Sequence, residues 1–134
     1  MHFPIAFWLA VPVLNVAALV SGPRPWWGLA LSATAIGVVI GVPAIISGLL
    51  EYARLSGAGV AVRLAARHGV RTGMAWCLFT AKLAIAAVTM PTAVIIAICL
   101  ALDGLACGLL IQGTFFGTRL IYQHMGGGGD NDTV

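Results

Sequence analysis

The most constraining feature of this sequence is a succession of four apolar runs, each closed by proline, glycine or charge. The first, residues 3–20, stops at Ser21-Gly22-Pro23-Arg24-Pro25, and the second, residues 27–50, stops at Glu51-Tyr52-Ala53-Arg54. The third begins within residues 63–70 and ends at Met90-Pro91, and the fourth covers residues 92–122. About 20 apolar residues rising 1.5 Å each cross a hydrocarbon layer of about 30 Å. Each run is long enough to do so and too long for a strand, and transmembrane barrels show short alternating segments instead. The predicted architecture is therefore all-α: an integral membrane four-helix bundle, with helices over residues 3–21, 27–52, 63–90 and 92–122. A single domain, residues 1–125, precedes a flexible Gly/Asp tail, residues 126–134. Ser56-Gly57-Ala58-Gly59 is the one linker-like stretch.

Composition agrees. The chain is 60% hydrophobic and 8% charged, where a soluble domain carries about 25% charged residues. So few charges cannot keep the surface of a soluble domain wet. The same balance excludes a disordered chain and a disulfide scaffold, and the net charge of +3 comes from scattered residues that form no nucleic-acid-binding stripe. The first run has no basic residue ahead of it and includes the bulky Phe7 and Trp8, so it is expected to be a retained helix rather than a signal peptide. Pro12 and Pro43 are expected to kink the first and second helices.

Four crossings put both termini on one side with the loop between helices two and three. Arg54, Arg63, Arg67, Arg71 and Arg119 fall toward that side, and Arg24 toward the other. The excess of basic residues marks the termini side as cytoplasmic. Trp26 and Trp27 sit at the opposite interface, where aromatic belts form.

Helical spacing assigns the inward faces. Gly37, Gly41, Ala44 and Gly48 form a small-residue stripe for close packing on helix two, and continuing it reaches Glu51, which is expected to point inward. His68, Thr72, Ala75, Phe79, Lys82 and Ala86 share a face of helix three; Cys99, Asp103, Cys107, Thr114, Gly117 and Ile121 share one of helix four, with His124 at its edge. Counted from Pro91, Lys82 and Asp103 differ in depth by about 4 to 5 Å, which a lysine stem spans. They are expected to form a structural ion pair that neutralises two charges in lipid, with a proton or ion path as the alternative.

His2, His68 and His124 all fall at the termini end, near Glu51, Tyr52 and Tyr122. Three readings stand side by side. Two imidazoles on facing helices at equal depth can ligate a b-type haem, with the glycine stripe leaving room for the macrocycle and Arg67, Arg71 or Arg119 holding its propionates. His68, His2 and Glu51 can instead form a mononuclear metal site, although no single helix carries H-x-x-E-H spacing. Or the histidines are hydrogen-bonded or solvated at the interface. Cys77, Cys99 and Cys107 lack C-x-x-C spacing and read as packing residues. No phosphate loop, nucleophile elbow or dinucleotide fingerprint is present.

His2-Phe3-Pro4-Ile5, Gly48-Leu49-Leu50-Glu51-Tyr52, His68, and Gly117 followed by Leu120-Ile121-Tyr122-Gln123-His124-Met125-Gly126 together resemble a bacterial family of predicted membrane proteins, domain of unknown function 2231. The resemblance covers nearly the whole chain and implies a four-helix membrane domain whose polar positions are His2, Glu51, His68 and Tyr122. It also implies redox company, since some relatives are joined to or encoded near c-type cytochrome modules. Many relatives have Asp where Glu51 stands and a further histidine shortly before the His-Phe-Pro triplet, which this sequence lacks.

The expected function is a small membrane redox or electron-transfer subunit with no catalytic activity of its own, binding b-type haem through two of the three histidines. Its expected partners are the lipid bilayer and other membrane subunits or a cytochrome, with no nucleic acid. The alternative is a non-catalytic structural or assembly subunit of a larger membrane complex. A transporter using Glu51, Lys82 and Asp103 is the third possibility, and no repeat supports it.

Overall fold

The computed structural model describes residues 2–55 and 59–126, with side chains over 5–55 and 59–119. Four helices account for nearly all of them: α1 (His2–Ser21), α2 (Trp26–Arg54), α3 (Val60–Val88) and α4 (Ala93–Gly126). The helix count and order match the four apolar runs. Most boundaries move by one to four residues. Helix α3 starts before Arg63, with Gly59 in extended conformation as its N-cap, and it ends where Thr89 turns extended ahead of Met90-Pro91. Helix α4 continues past Tyr122 to Gly126, because nothing between them breaks a helix until the glycines begin.

Short connections make successive helices antiparallel. Helices α3 and α4 pack most closely, as do α1 and α2, and the two hairpins close through α1 against α4 and α2 against α3. The diagonal pairs meet only through side chains: Trp8 of α1 stacks on Phe79 of α3 across the centre, ring centroids 4.9 Å apart and planes 12° from parallel. One apolar cluster surrounds this stack, with Ala75, Ala106 and Leu110; a second, of Ala18, Trp27, Ile96 and Cys99, closes the bundle toward the 22–25 and 89–92 connections.

The buried rows alternate three and four residues apart. They are Trp8, Val11, Asn15 and Ala18 on α1; Trp27, Ala30, Thr34, Gly37 and Gly41 on α2; and Ile96, Cys99, Asp103, Ala106, Leu110 and Gly113 on α4. That is a 3.5-residue repeat, the seam of helices that pack side by side over their whole length. It explains one departure on α4. Counting at 100° per residue puts Thr114 inward, but the seam passes through Gly113 and leaves Thr114 exposed.

Both prolines lie inside continuous helices. A proline leaves the carbonyl four residues earlier without its helical donor. For Pro12 that carbonyl belongs to Trp8, and the Cys107 thiol of α4 donates to it at 3.9 Å. For Pro43 it belongs to Val39; at the adjacent Val38 the Trp76 indole Nε1 donates to the carbonyl oxygen at 3.0 Å. Neighbouring helices thus supply donors at or beside both breaks, the usual remedy where water is absent.

Helices α2, over Trp26–Arg54, and α4, over Ala93–Arg119, are long and apolar enough to cross a membrane. The described part of α1, Ile5–Ser21, is shorter, and α3 carries Arg63, Arg67, Arg71 and Lys82. Only 22% and 28% of the most apolar windows of α2 and α4 are buried. Most of their apolar side chains therefore face outward rather than into a core.

Candidate functional site

Among the described residues the bundle buries four polar or charged side chains completely, one from each helix: Asn15, Thr34, Lys82 and Asp103. At 1.5 Å per residue they lie about 9, 12, 9 and 15 Å inside the helix ends at the 22–25 and 89–92 connections. They form one polar layer. Lys82 Nζ donates to both carboxylate oxygens of Asp103, at 2.8 and 2.9 Å, and Asn15 Nδ2 donates to Asp103 Oδ2 at 2.5 Å. Thr34 turns its hydroxyl back to the Ala30 carbonyl of its own helix, at 2.7 Å. The Lys82–Asp103 bridge has both side chains fully buried. It links α3 to α4, and Asn15 ties α1 to the same carboxylate.

Chemically this layer is closed. The carboxylate accepts three charge-assisted hydrogen bonds, so no lone charge faces the apolar interior. Asn15 Oδ1 is the one buried side-chain oxygen left without a partner among the described residues, and the Trp8 indole Nε1 is likewise without one. The arrangement fixes the register of three helices. Neither Asn15 nor Thr34 had been singled out from the sequence. Asn15 was legible as the lone strongly polar residue of the first run, spaced seven, four and three residues from Trp8, Val11 and Ala18. Thr34 carries no such signal, since threonine is common in apolar helices.

The glycine stripe of α2 divides into a filled half and an open half. A Cβ at Gly37 would collide with the Trp8 indole, and one at Gly41 would stand 2.9 Å from Trp76 Cδ1 and 3.3 Å from Trp8 Cη2. These two glycines are buried and packed by indoles. Ala44 is half-buried, and Gly48 has nothing among the described residues within 4 Å of its Cβ position. The room expected for a flat macrocycle along Gly37 and Gly41 is thus occupied by Trp8 and Trp76.

The end of the bundle near the termini is built differently. His68 is half-buried; its Nδ1 lies 2.7 Å from the Gly113 carbonyl, and its ring rests on Gly117, whose Cβ position is 3.2 Å from Nδ1. A carbonyl can only accept, so Nδ1 carries a proton in this contact, and a neutral imidazole held this way has its lone pair on Nε2. Thr72, one turn on, donates to the His68 carbonyl at 2.9 Å. Gly113 and Gly117 therefore form a cradle for the imidazole.

Around it stand cations stacked on rings. The Arg71 guanidinium lies 4.5 Å and that of Arg67 5.9 Å from the Phe116 ring centre, and Arg119 lies 4.5 Å from that of Phe115. Arg71 also donates through Nε to Gln112 Oε1 at 3.2 Å.

Glu51 departs from its expected inward orientation. Its side chain is 72% exposed and pairs with Arg54 one turn later, Nη1 to Oε1 at 3.0 Å. The open half of the glycine stripe goes with this: among the described residues no neighbour covers α2 at Gly48, and the continuation of the stripe faces outward. Glu51 is therefore not brought together with His68. Among the described residues no three of His, Cys, Asp and Glu converge as metal ligands. The side chains of His2, His124 and Tyr122, and all of residues 127–134 expected as a tail, lie outside the described residues. The helices do set axial positions. His2 precedes Trp8 by about 9 Å of rise, His68 precedes Phe79, the stacking partner of Trp8, by about 16 Å, and His124 lies about 10 Å beyond Gly117. The three backbones are staggered along the bundle rather than level.

No family model matches the chain, and no curated protein or solved structure does so.

Proposed function

We propose that this chain is an integral membrane four-helix bundle in which all four helices cross the bilayer, serving as a non-catalytic subunit of a larger membrane complex. One observation carries the reading: polarity is inverted, with Asn15, Thr34, Lys82 and Asp103 inside while Val13, Val20, Val39, Val88 and Val94 are each 68–83% exposed. Water rejects such a surface and lipid accepts it. Arg54, Arg67, Arg71 and Arg119 at the termini end against Arg24 at the other support an orientation with both termini in the cytoplasm of a bacterium. Membership of the domain of unknown function 2231 family belongs to the same proposal and rests on the residues quoted for it.

The subunit reading is supported by a shallow groove of about 430 Å³ between α2 and α3, lined by Leu31, Ser32, Ala35, Leu83, Ala86 and Ala87. Small residues on a lipid-facing groove suit the close approach of another helix. The test is extraction from the native membrane in a mild detergent, followed by sizing. A particle containing further membrane proteins is expected; a monodisperse monomer would count against the proposal.

A second reading, electron transfer through a b-type haem, is favoured by His68 alone. The Gly113 carbonyl orients the ring in the manner of a ligating histidine, with Nε2 left as a donor atom. The group would carry the electron, and His68 would hold its iron, with Arg67, Arg71 or Arg119 available to its propionates. The Trp-filled stripe offers it no room beside Gly37 and Gly41. A Soret band that shifts on reduction of the purified protein would establish this reading, and a colourless preparation would reject it.

A further inference from the structure

We propose that the arginine–phenylalanine surface across α3 and α4 is a binding site for the phosphodiester headgroup of an anionic phospholipid. The inference rests on the membrane reading above and adds to it a specific ligand.

Three guanidinium groups share this surface. Arg67 and Arg71, one helical turn apart, both lie over the Phe116 ring, and Arg119 lies over Phe115, which meets Phe116 edge to face with centroids 6.0 Å apart. Like charges one turn apart on a helix repel each other. The described carboxylates do nothing to relieve this, since Glu51 is paired with Arg54 on α2 and Asp103 is buried with Lys82. The neutral partners hold the geometry without cancelling the charge: Arg71 donates to Gln112 Oε1 at 3.2 Å and to the Arg67 carbonyl at 3.4 Å. Stacking on rings and these neutral acceptors leave guanidinium N–H groups over for an anion, and the planar fork matches phosphate oxygens.

The apolar continuation of the same surface selects a lipid over a free anion. On α3 the row through Arg67 and Arg71 continues to Met74 and Leu78, toward the middle of the bundle, and on α4 the row through Arg119 and Gln112 continues to Leu105. Met74 is 52% and Leu105 58% exposed. A phosphate held at the arginines would lay its acyl chains along these residues. Basic surfaces between membrane helices at the cytoplasmic side recognise anionic headgroups in this manner.

The test uses the full chain in neutral detergent, offered equal amounts of phosphatidylglycerol and phosphatidylcholine, with bound lipid counted by native mass spectrometry. Phosphatidylglycerol is expected to dominate. Each of Arg67→Gln and Arg71→Gln should lower that preference about fivefold, the factor carried by one basic residue at an anionic surface. Phe116→Leu should lower it by a smaller factor, through loss of the stacking that orients both arginines, and Arg24→Gln at the other end should leave it unchanged. Equal occupancy by the two lipids, or a preference that survives the double Arg67→Gln/Arg71→Gln variant, overturns the proposal. So does competition by inorganic phosphate as effective as by the lipid, which would make this a site for a soluble anion. Washing membranes with alkaline carbonate separates the two levels: release of the chain refutes membrane embedding itself, whereas retention with no lipid preference refutes only this site.

Discussion

The polar layer and the termini end of this bundle use the same kinds of residue to opposite effect. In the layer, Lys82 finds both oxygens of Asp103 and Asn15 completes the set, with every side chain fully buried. At the termini end Arg67, Arg71 and Arg119 lie on phenylalanine faces, and His68 is anchored through Nδ1. The first arrangement answers its charges internally, and the second leaves guanidinium N–H groups available among the described residues. Charge inside a helix bundle is thus a matter of register where it is answered, and of recognition where it is not.

The largest effect that could break this contrast lies at Asp103. Asp103→Ala strands Lys82 in an apolar interior and should destabilise the bundle by about 3–5 kcal/mol. The double variant Lys82→Met with Asp103→Leu removes both charges at similar volume and should lose less. Unfolding in detergent by titrated denaturant measures both, and equal losses would show that the pair does not act as a unit. Next comes Asn15→Ala, which deletes a hydrogen bond to a charged group worth about 1.5–3 kcal/mol. A null effect would remove Asn15 from the layer.

The two halves of the glycine stripe sharpen the comparison with apolar groups alone. Gly37→Ala drives a methyl into the Trp8 indole, and overpacking of this kind costs about 1–3 kcal/mol. Gly48→Ala meets open space and should instead gain up to about 1 kcal/mol from helix propensity. Identical responses at the two sites would contradict the packing described. The smallest loss is expected for His68→Leu, about 0.5–1.5 kcal/mol for one hydrogen bond to a backbone carbonyl. If it rivals Asp103→Ala, the termini end is as closed as the layer.

The fold was legible because each helix is written as an uninterrupted apolar run with a clear stop. Lys82 and Asp103 could be paired from the depth arithmetic alone, since the connection at Pro91 is short enough to fix their relative height. Other features were not legible, for separable reasons. Thr114 was misplaced because an isolated helix turns 100° per residue, while the bundle selects a 3.5-residue seam through Gly113. Glu51 turns outward because continuing a stripe assumes a neighbour along its whole length, and among the described residues none covers Gly48. Trp8 and Trp76 as fillers of Gly37 and Gly41 belong to other helices, so no local pattern announces them. The Cys107 thiol beneath the carbonyl freed by Pro12 is a long-range answer to a local fault, and only the packed bundle displays it.

The central claim, that all four helices cross the membrane, is tested most directly by labelling single cysteines with a membrane-impermeant maleimide in intact and in opened cells. Cys77, Cys99 and Cys107 are first replaced by alanine, and cysteine is then placed singly at Arg24, Arg54 or Met90, all exposed near the helix connections. With four crossings Arg24→Cys and Met90→Cys label from outside the intact cell, and Arg54→Cys labels only once the cell is opened. If α2 and α4 alone span, Arg24→Cys and Met90→Cys fall on opposite sides, and that result would contradict the account.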